Sequence, residues 1–234
     1  MDLNELLKRS PLRILEQSLH GGLKAGEIGI IAAQNGLGKT SMLVQLALDK
    51  LLQGKKVIHV SFTQHTQYVI AWYEDIFNEF INWNNLENPQ ETKDSLIKNR
   101  VLMNFNQDGM SADQILKSLR ALIVDGCFEA DAIIIDGFDF SRTNSGHIAN
   151  IRAFAGELGL SVWYSCNISD KGEQYDENNI PITLKDLVEF IDVVIVLEPK
   201  QKHIALSISK SQEAHNTPTM EMKLDPRTLL IIEK

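Results

Sequence analysis

Eight consecutive residues, Ala33-Gln34-Asn35-Gly36-Leu37-Gly38-Lys39-Thr40, bring together the residue types that a polyphosphate demands. A nucleoside triphosphate needs many hydrogen-bond donors and little steric bulk around its β-phosphate, and a glycine-rich turn opening onto a helix supplies both. Gly36 and Gly38 let the backbone pass close to such a ligand. Lys39 has the reach and charge to meet the β- and γ-phosphates, and the Thr40 hydroxyl is a ligand type for Mg²⁺. The pattern is a Walker A P-loop with Ala33 where the first glycine is usual. Asn35, Gly36, Leu37, Gly38, Lys39, Thr40 and the following Ser41 are the expected nucleotide-binding set. A turn carrying a surface lysine is the plain alternative, and the flanking pattern opposes it. The apolar run Ile28–Ala33 reads as a buried strand, and Leu43, Leu46, Ala47 and Leu51 recur at helical spacing over 41–53.

A nucleotide site also needs an anion near its metal. Asp136 ends the apolar run Ala132-Ile133-Ile134-Ile135, so a buried strand would fix this carboxylate to the sheet, as in a Walker B strand. Thr40 and Asp136 are therefore the expected metal ligands, with Asp139 a nearby alternative. The six histidines show no metal-ligand spacing, although His65 lies close to the suspected site. Cys127 and Cys166 stand far apart, outside any CxxC pairing, and read as reduced thiols.

The positioning elements follow from periodicity. Leucines 3, 6 and 7, then 12, 15 and 19, mark two short helical stretches, an N-terminal helical segment over 1–20 ahead of a single domain over 21–234. Strands are expected at 56–62, 101–105, Ala132–Asp136, 161–166 and 193–197, and helices at 66–83, 112–124, 148–158 and 184–190. Residues 84–98 read as a polar loop with a short helix. In the 66–83 helix, Val69, Trp72, Tyr73, Ile76, Phe80 and Ile81 form an apolar stripe, which means core packing or, alternatively, an adenine platform. Near the end, Ile204, Leu206 and Ile208, and then Met220, Met222 and Leu224, alternate with other residues as antiparallel strands do. Alternating strands and helices predict an α/β fold, with a mostly parallel sheet, helices on both faces and ligand at the carboxyl ends of the strands.

Composition narrows the function. A formal net charge of −8 argues against a dedicated nucleic-acid binder, whose backbone affinity rests on clustered Lys and Arg. The start of the chain is too polar for a signal peptide, and no apolar run reaches membrane-spanning length, so a soluble cytoplasmic protein is expected.

The order Gly21-Gly22-Leu23, Ala25-Gly26-Glu27, P-loop, strand ending Ser61-Phe62, strand ending Asp136, strand ending Ser165-Cys166-Asn167, and C-terminal hairpins resembles the RecA-like ATPases, particularly their KaiC-type branch. It is similar to the replicative-helicase and RadA-type branches to a lesser degree. The resemblance implies a RecA-like core, ATP with Mg²⁺, and a homo-oligomeric ring or filament with ATP between subunits. It also exposes departures. Where many relatives carry a Glu just after the second strand, this chain has Thr63 and Gln64; Gln64 can orient water by hydrogen bonding but not act as a carboxylate base. Relatives often place Lys-x-Arg on a C-terminal hairpin and send it to the neighbour's γ-phosphate; here Lys210 matches and Gln212 replaces the Arg. Lys39, Gln64 and Lys210 are accordingly the candidate catalytic residues, and helix capping or a solvated edge charge is the plain alternative for the last two. Asn167 stands at a polar sensor position or in an ordinary turn. Slow or partner-dependent ATP hydrolysis is the expected activity; a nonhydrolysing, nucleotide-responsive scaffold that assembles with another protein is the alternative. A small-molecule kinase ranks lower, for want of an Arg-rich lid.

Overall fold

Apolar runs and amphipathic stretches alternate along the chain and become, in order, α1 (Leu3–Arg9), α2 (Leu12–Ser18), β1 (Ile28–Ala33), α3 (Lys39–Leu52), β2 (Val57–Ser61), α4 (Thr66–Asn84), α5 (Pro89–Lys98) and β3 (Arg100–Asn104). They continue with α6 (Ala112–Arg120), β4 (Ala132–Asp136), α7 (Ser145–Leu158), β5 (Ser161–Asn167), β6 (Val193–Pro199), β7 (Ile204–Lys210), β8 (Met222–Leu224) and β9 (Ile231–Glu233). The computed structural model describes residues 3–106, 108, 112–169, 174–212 and 222–233. Met220, expected in a strand, lies outside them.

Among the described residues one nine-stranded sheet runs β3-β2-β4-β5-β1-β6-β7-β8-β9. The strands from β3 to β6 in that order pair in parallel, and β7, β8 and β9 extend the β6 edge antiparallel. All of β1 is buried, as a strand covered on both faces must be. Its Ile31 and Ala33 face the core under α1 to α4, while Ile28, Ile30 and Ala32 face the core under α6 and α7. This is the expected α/β architecture. Leu6, Leu12, Leu15 and Leu19 of the N-terminal stretch pack into the same core as α3 and α4. Among the described residues no helix is long and apolar enough to cross a membrane.

Several local details differ from what periodicity predicts. The expected helix over 112–124 is α-helical only to Arg120 and widens into a π-helical turn at Ala121–Asp125, closed by the Gly126 N–H donating to the Ala121 carbonyl at 2.8 Å. Residues 84–98 hold a 10-residue helix, α5, with Pro89 in its first turn, where a missing N–H costs nothing. The expected helix at 184–190 is a 3₁₀ segment, Ile182–Phe190.

Candidate nucleotide site

The loop between β1 and α3 lies at the carboxyl end of a strand inside the sheet. Gly36 and Gly38 take φ of 81° and 88°, a left-handed conformation that carries a steric cost for other L-residues. Gly38 caps α3, so the N-terminal, positive dipole end of a 14-residue helix opens onto a cavity of about 800 Å³. Lys39, Thr40, Gln64, Trp72, Asp136 and Asn167 are in its wall.

The side chains are ordered by one another. The Thr40 hydroxyl donates to Asp136 Oδ2 at 2.8 Å, and Ser165 Oγ donates to Asp136 Oδ1 at 2.6 Å. The Gly137 N–H in turn donates to Ser165 Oγ at 2.8 Å, fixing that hydroxyl's orientation. Lys39 Nζ folds back over its own loop, donating to the carbonyls of Ala33 at 2.9 Å and Gln34 at 2.8 Å and to Asn167 Oδ1 at 3.3 Å. Asn167 is thus joined to the P-loop lysine.

The donor set fits Mg²⁺. A hydroxyl and a carboxylate oxygen stand side by side, and Mg²⁺ takes one or two such ligands together with phosphate oxygens and retained waters. Among the described residues no cluster of three or more His, Cys, Asp or Glu could hold a metal.

The structure separates the other expected residues. Asn35 and Gly36 stand in the cavity wall, whereas Leu37 packs against the core. Ser41 is buried at the cavity wall, and its hydroxyl donates to the Leu229 carbonyl at 2.8 Å. Gln64 accepts at its main-chain carbonyl from Asn104 Nδ2 at 2.6 Å and donates its N–H to Ser61 Oγ at 3.0 Å, which holds it in the wall. Its Oε1 is buried without a hydrogen-bond partner among the described residues. Thr63 and Asp139 are also in the cavity wall; Thr63 packs against Gly137, and Asp139 caps Ser141 and pairs with Arg142 at 3.2 Å. His65 is exposed in an adjoining groove and is not in the P-loop cavity's wall.

The hairpin residues are held elsewhere. Lys210 Nζ donates to the carbonyls of Val188 and Ile191, and burial lowers its pKa. Gln212 Nε2 donates to Glu27 Oε2 and, at 3.2 Å, to the Gly22 carbonyl. Neither is in the wall of the P-loop cavity.

Sequence reasoning does not assign Ser165, Gly137 or Leu229 to the site. Ser165 carries a faint signal, as part of the Ser-Cys-Asn strand end, and Leu229 carries none, because only the sheet order brings it to the P-loop. Trp72 packs at the margin of the core and also lines the cavity wall, while Val69, Tyr73, Ile76 and Phe77 are buried in the core. His59 is likewise silent in the sequence. It is fully buried in β2, with Nδ1 3.1 Å from the Tyr73 hydroxyl, and burial lowers its pKa to about 4, against the opposing pull of Asp136. Burial also pushes the Cys166 thiol up to about 12, as suits a reduced, unreactive thiol.

A parallel sheet with an antiparallel C-terminal edge, and a P-loop facing a strand-end carboxylate, matches the RecA-like α/β fold. No known family profile matches the chain. A stretch of 47 residues is 43% identical to the DNA repair protein RadA of Aquifex aeolicus (strain VF5), covering 20% of this chain and 10% of that protein. This short match is compatible with a RecA-like ATP-binding protein and gives the KaiC-type branch no support.

Proposed function

We propose that the chain is a RecA-like ATP-binding protein whose hydrolysis is slow or depends on a partner. The observation that carries this reading is the 2.8 Å contact between Thr40 and Asp136 at the mouth of a glycine-lined helix N-terminus. Lys39 would exchange its loop carbonyls for phosphate oxygens, and the main chain over 35–41 would cradle the phosphates. Thr40 and Asp136 would hold Mg²⁺, which neutralises phosphate charge when bound. Gln64, in the cavity wall, would orient an attacking water by hydrogen bonding. The KaiC-type likeness, a homo-oligomer, an additional protein partner and a cytoplasmic setting belong to the same proposal. The relative's name refers to DNA repair, but a net charge of −8 speaks against nucleic acid as the main partner of this chain.

Magnesium-dependent ATP binding by the wild type, lost in Lys39→Ala, is the expected result. A specific observation favours a second reading, the nonhydrolysing module: Thr63 and Gln64 supply no carboxylate, and Lys210 and Gln212 are both tied down within their own chain. Phosphate release from concentrated protein separates the two. Sustained turnover that disappears in Asp136→Ala rejects the nonhydrolysing reading.

A further inference from the structure

A second cavity, of about 260 Å³, is walled by the P-loop helix α3, the N-terminal helices α1 and α2, α4 and β9. Leu48 and Leu52 of α3, Ile76 and Phe80 of α4 and Ile231 of β9 make it apolar. Trp83, also in the wall, is 58% exposed, so the cavity meets solvent there. Its size suits a ring, since an apolar cavity of about 150 Å³ already admits benzene.

Among the described residues one buried polar atom of this wall stands apart. Ser10 Oγ accepts from the Leu12 N–H at 3.3 Å, and both ends of the Gln45 amide are bonded. Asp49 is 5% exposed, and its Oδ2 accepts from Arg13 Nη2 and, at 2.7 Å, from Gln53 Nε2. Asp49 Oδ1 is buried with no hydrogen-bond partner among the described residues. A carboxylate oxygen in that position carries a desolvation cost that a hydrogen-bond donor relieves. Charge decides the kind of donor. Arg13 pairs with both Asp49 and Glu16, and Lys50 lies 3.9 Å from Glu16, so two anions already face two cations. A further cation has nothing to neutralise, and a neutral O–H or N–H fits.

Gln45 links this cavity to the nucleotide site. Its Nε2 donates to the Leu229 carbonyl and its Oε1 accepts from the Ile231 N–H, each at 2.8 Å. Leu229 is in the wall of the P-loop cavity, and Gln45 and Ile231 are in the wall of this one. One amide on the P-loop helix therefore holds the turn between β8 and β9 where the two cavities adjoin.

We propose that this cavity is an effector site for a neutral, ring-sized molecule with a single hydrogen-bond donor for Asp49, coupled through Gln45 to the P-loop; the coupling rests on the nucleotide reading above. Binding in either cavity then changes affinity in the other by the same factor.

The test uses indole, whose N–H is the donor, and 1-benzofuran, the same shape with an oxygen in its place. Calorimetric titration of the wild type is expected to show indole binding at least about tenfold more tightly, as a hydrogen bond to a charged group would give. The ¹³C-methyl signals of Leu52 and Leu230 should shift with it. In Asp49→Leu the preference for indole should vanish, and should that variant not fold, the wild-type comparison decides alone. Binding of neither probe, equal binding of both, or binding that leaves those methyl signals unmoved overturns the site. Saturating indole is expected to change the ATP affinity about fivefold, and ATP the indole affinity equally. An unchanged ATP affinity overturns the effector role. A wild type that binds indole at Asp49 but no nucleotide at all overturns the nucleotide reading, and the coupling with it, and leaves the indole site standing.

Discussion

At the scale of single residues, the site rests on a few contacts whose loss has definite consequences. Asp136 is 3% exposed and accepts from both Thr40 and Ser165, so its carboxylate is ordered before any ligand arrives. Asp136→Asn keeps the shape and removes the charge. Its ATP affinity in Mg²⁺ should fall about tenfold and become insensitive to EDTA, as titration calorimetry would show. His59 makes a prediction about pH. Its folded pKa of about 4 lies below the ordinary 6.5, so between these values the unfolded chain takes up a proton that the folded chain refuses. The stability associated with neutral His59 is present above pH 6.5 and is lost as pH falls toward 4, by up to about 3 kcal/mol. Denaturant melts at pH 7 and pH 5 should show a smaller loss in His59→Phe than in the wild type. The P-loop is legible in the sequence because its residues are contiguous; Ser165 and His59 are not, because their roles depend on which strands become neighbours.

At the scale of elements, close packing between β1 and β5 holds the strand that presents the P-loop. A Cβ on Gly29 would lie 2.4 Å from the Trp163 ring and 2.8 Å from Leu23 Cδ1, both in the core. Gly29→Ala should therefore cost about 1–3 kcal/mol through overpacking, read as a lower melting midpoint. Strand positions are legible from apolar runs, since a sheet covered on both faces leaves no polar alternation to mislead. The π-turn at Ala121–Asp125 is not, because the spacing over 112–124 fits an unbroken α-helix; a Cβ at Gly126 would lie 2.6 Å from the Leu122 carbonyl, so the widened turn depends on a close approach that apolar spacing does not encode.

At the scale of the whole molecule, the sheet order brings residues from β4, β5, the segment after β2 and the 225–230 turn to one end of β1. Periodicity reveals the alternation of elements and the antiparallel edge, but the order of strands is a long-range property that local pattern does not encode. The C-terminal hairpin likewise can be placed at the edge without showing that Lys210 and Gln212 bond within their own chain. That placement and the missing carboxylate support slow hydrolysis, and steady-state phosphate release should remain far below that of an ATPase with both parts in place. The most direct measurement of nucleotide binding is ATP titration with and without Mg²⁺ into the wild type and Lys39→Ala. Binding that requires Mg²⁺ and disappears in Lys39→Ala without loss of fold is the expected result; a folded wild type that binds no nucleotide, or a Lys39→Ala variant that binds as well, would contradict it.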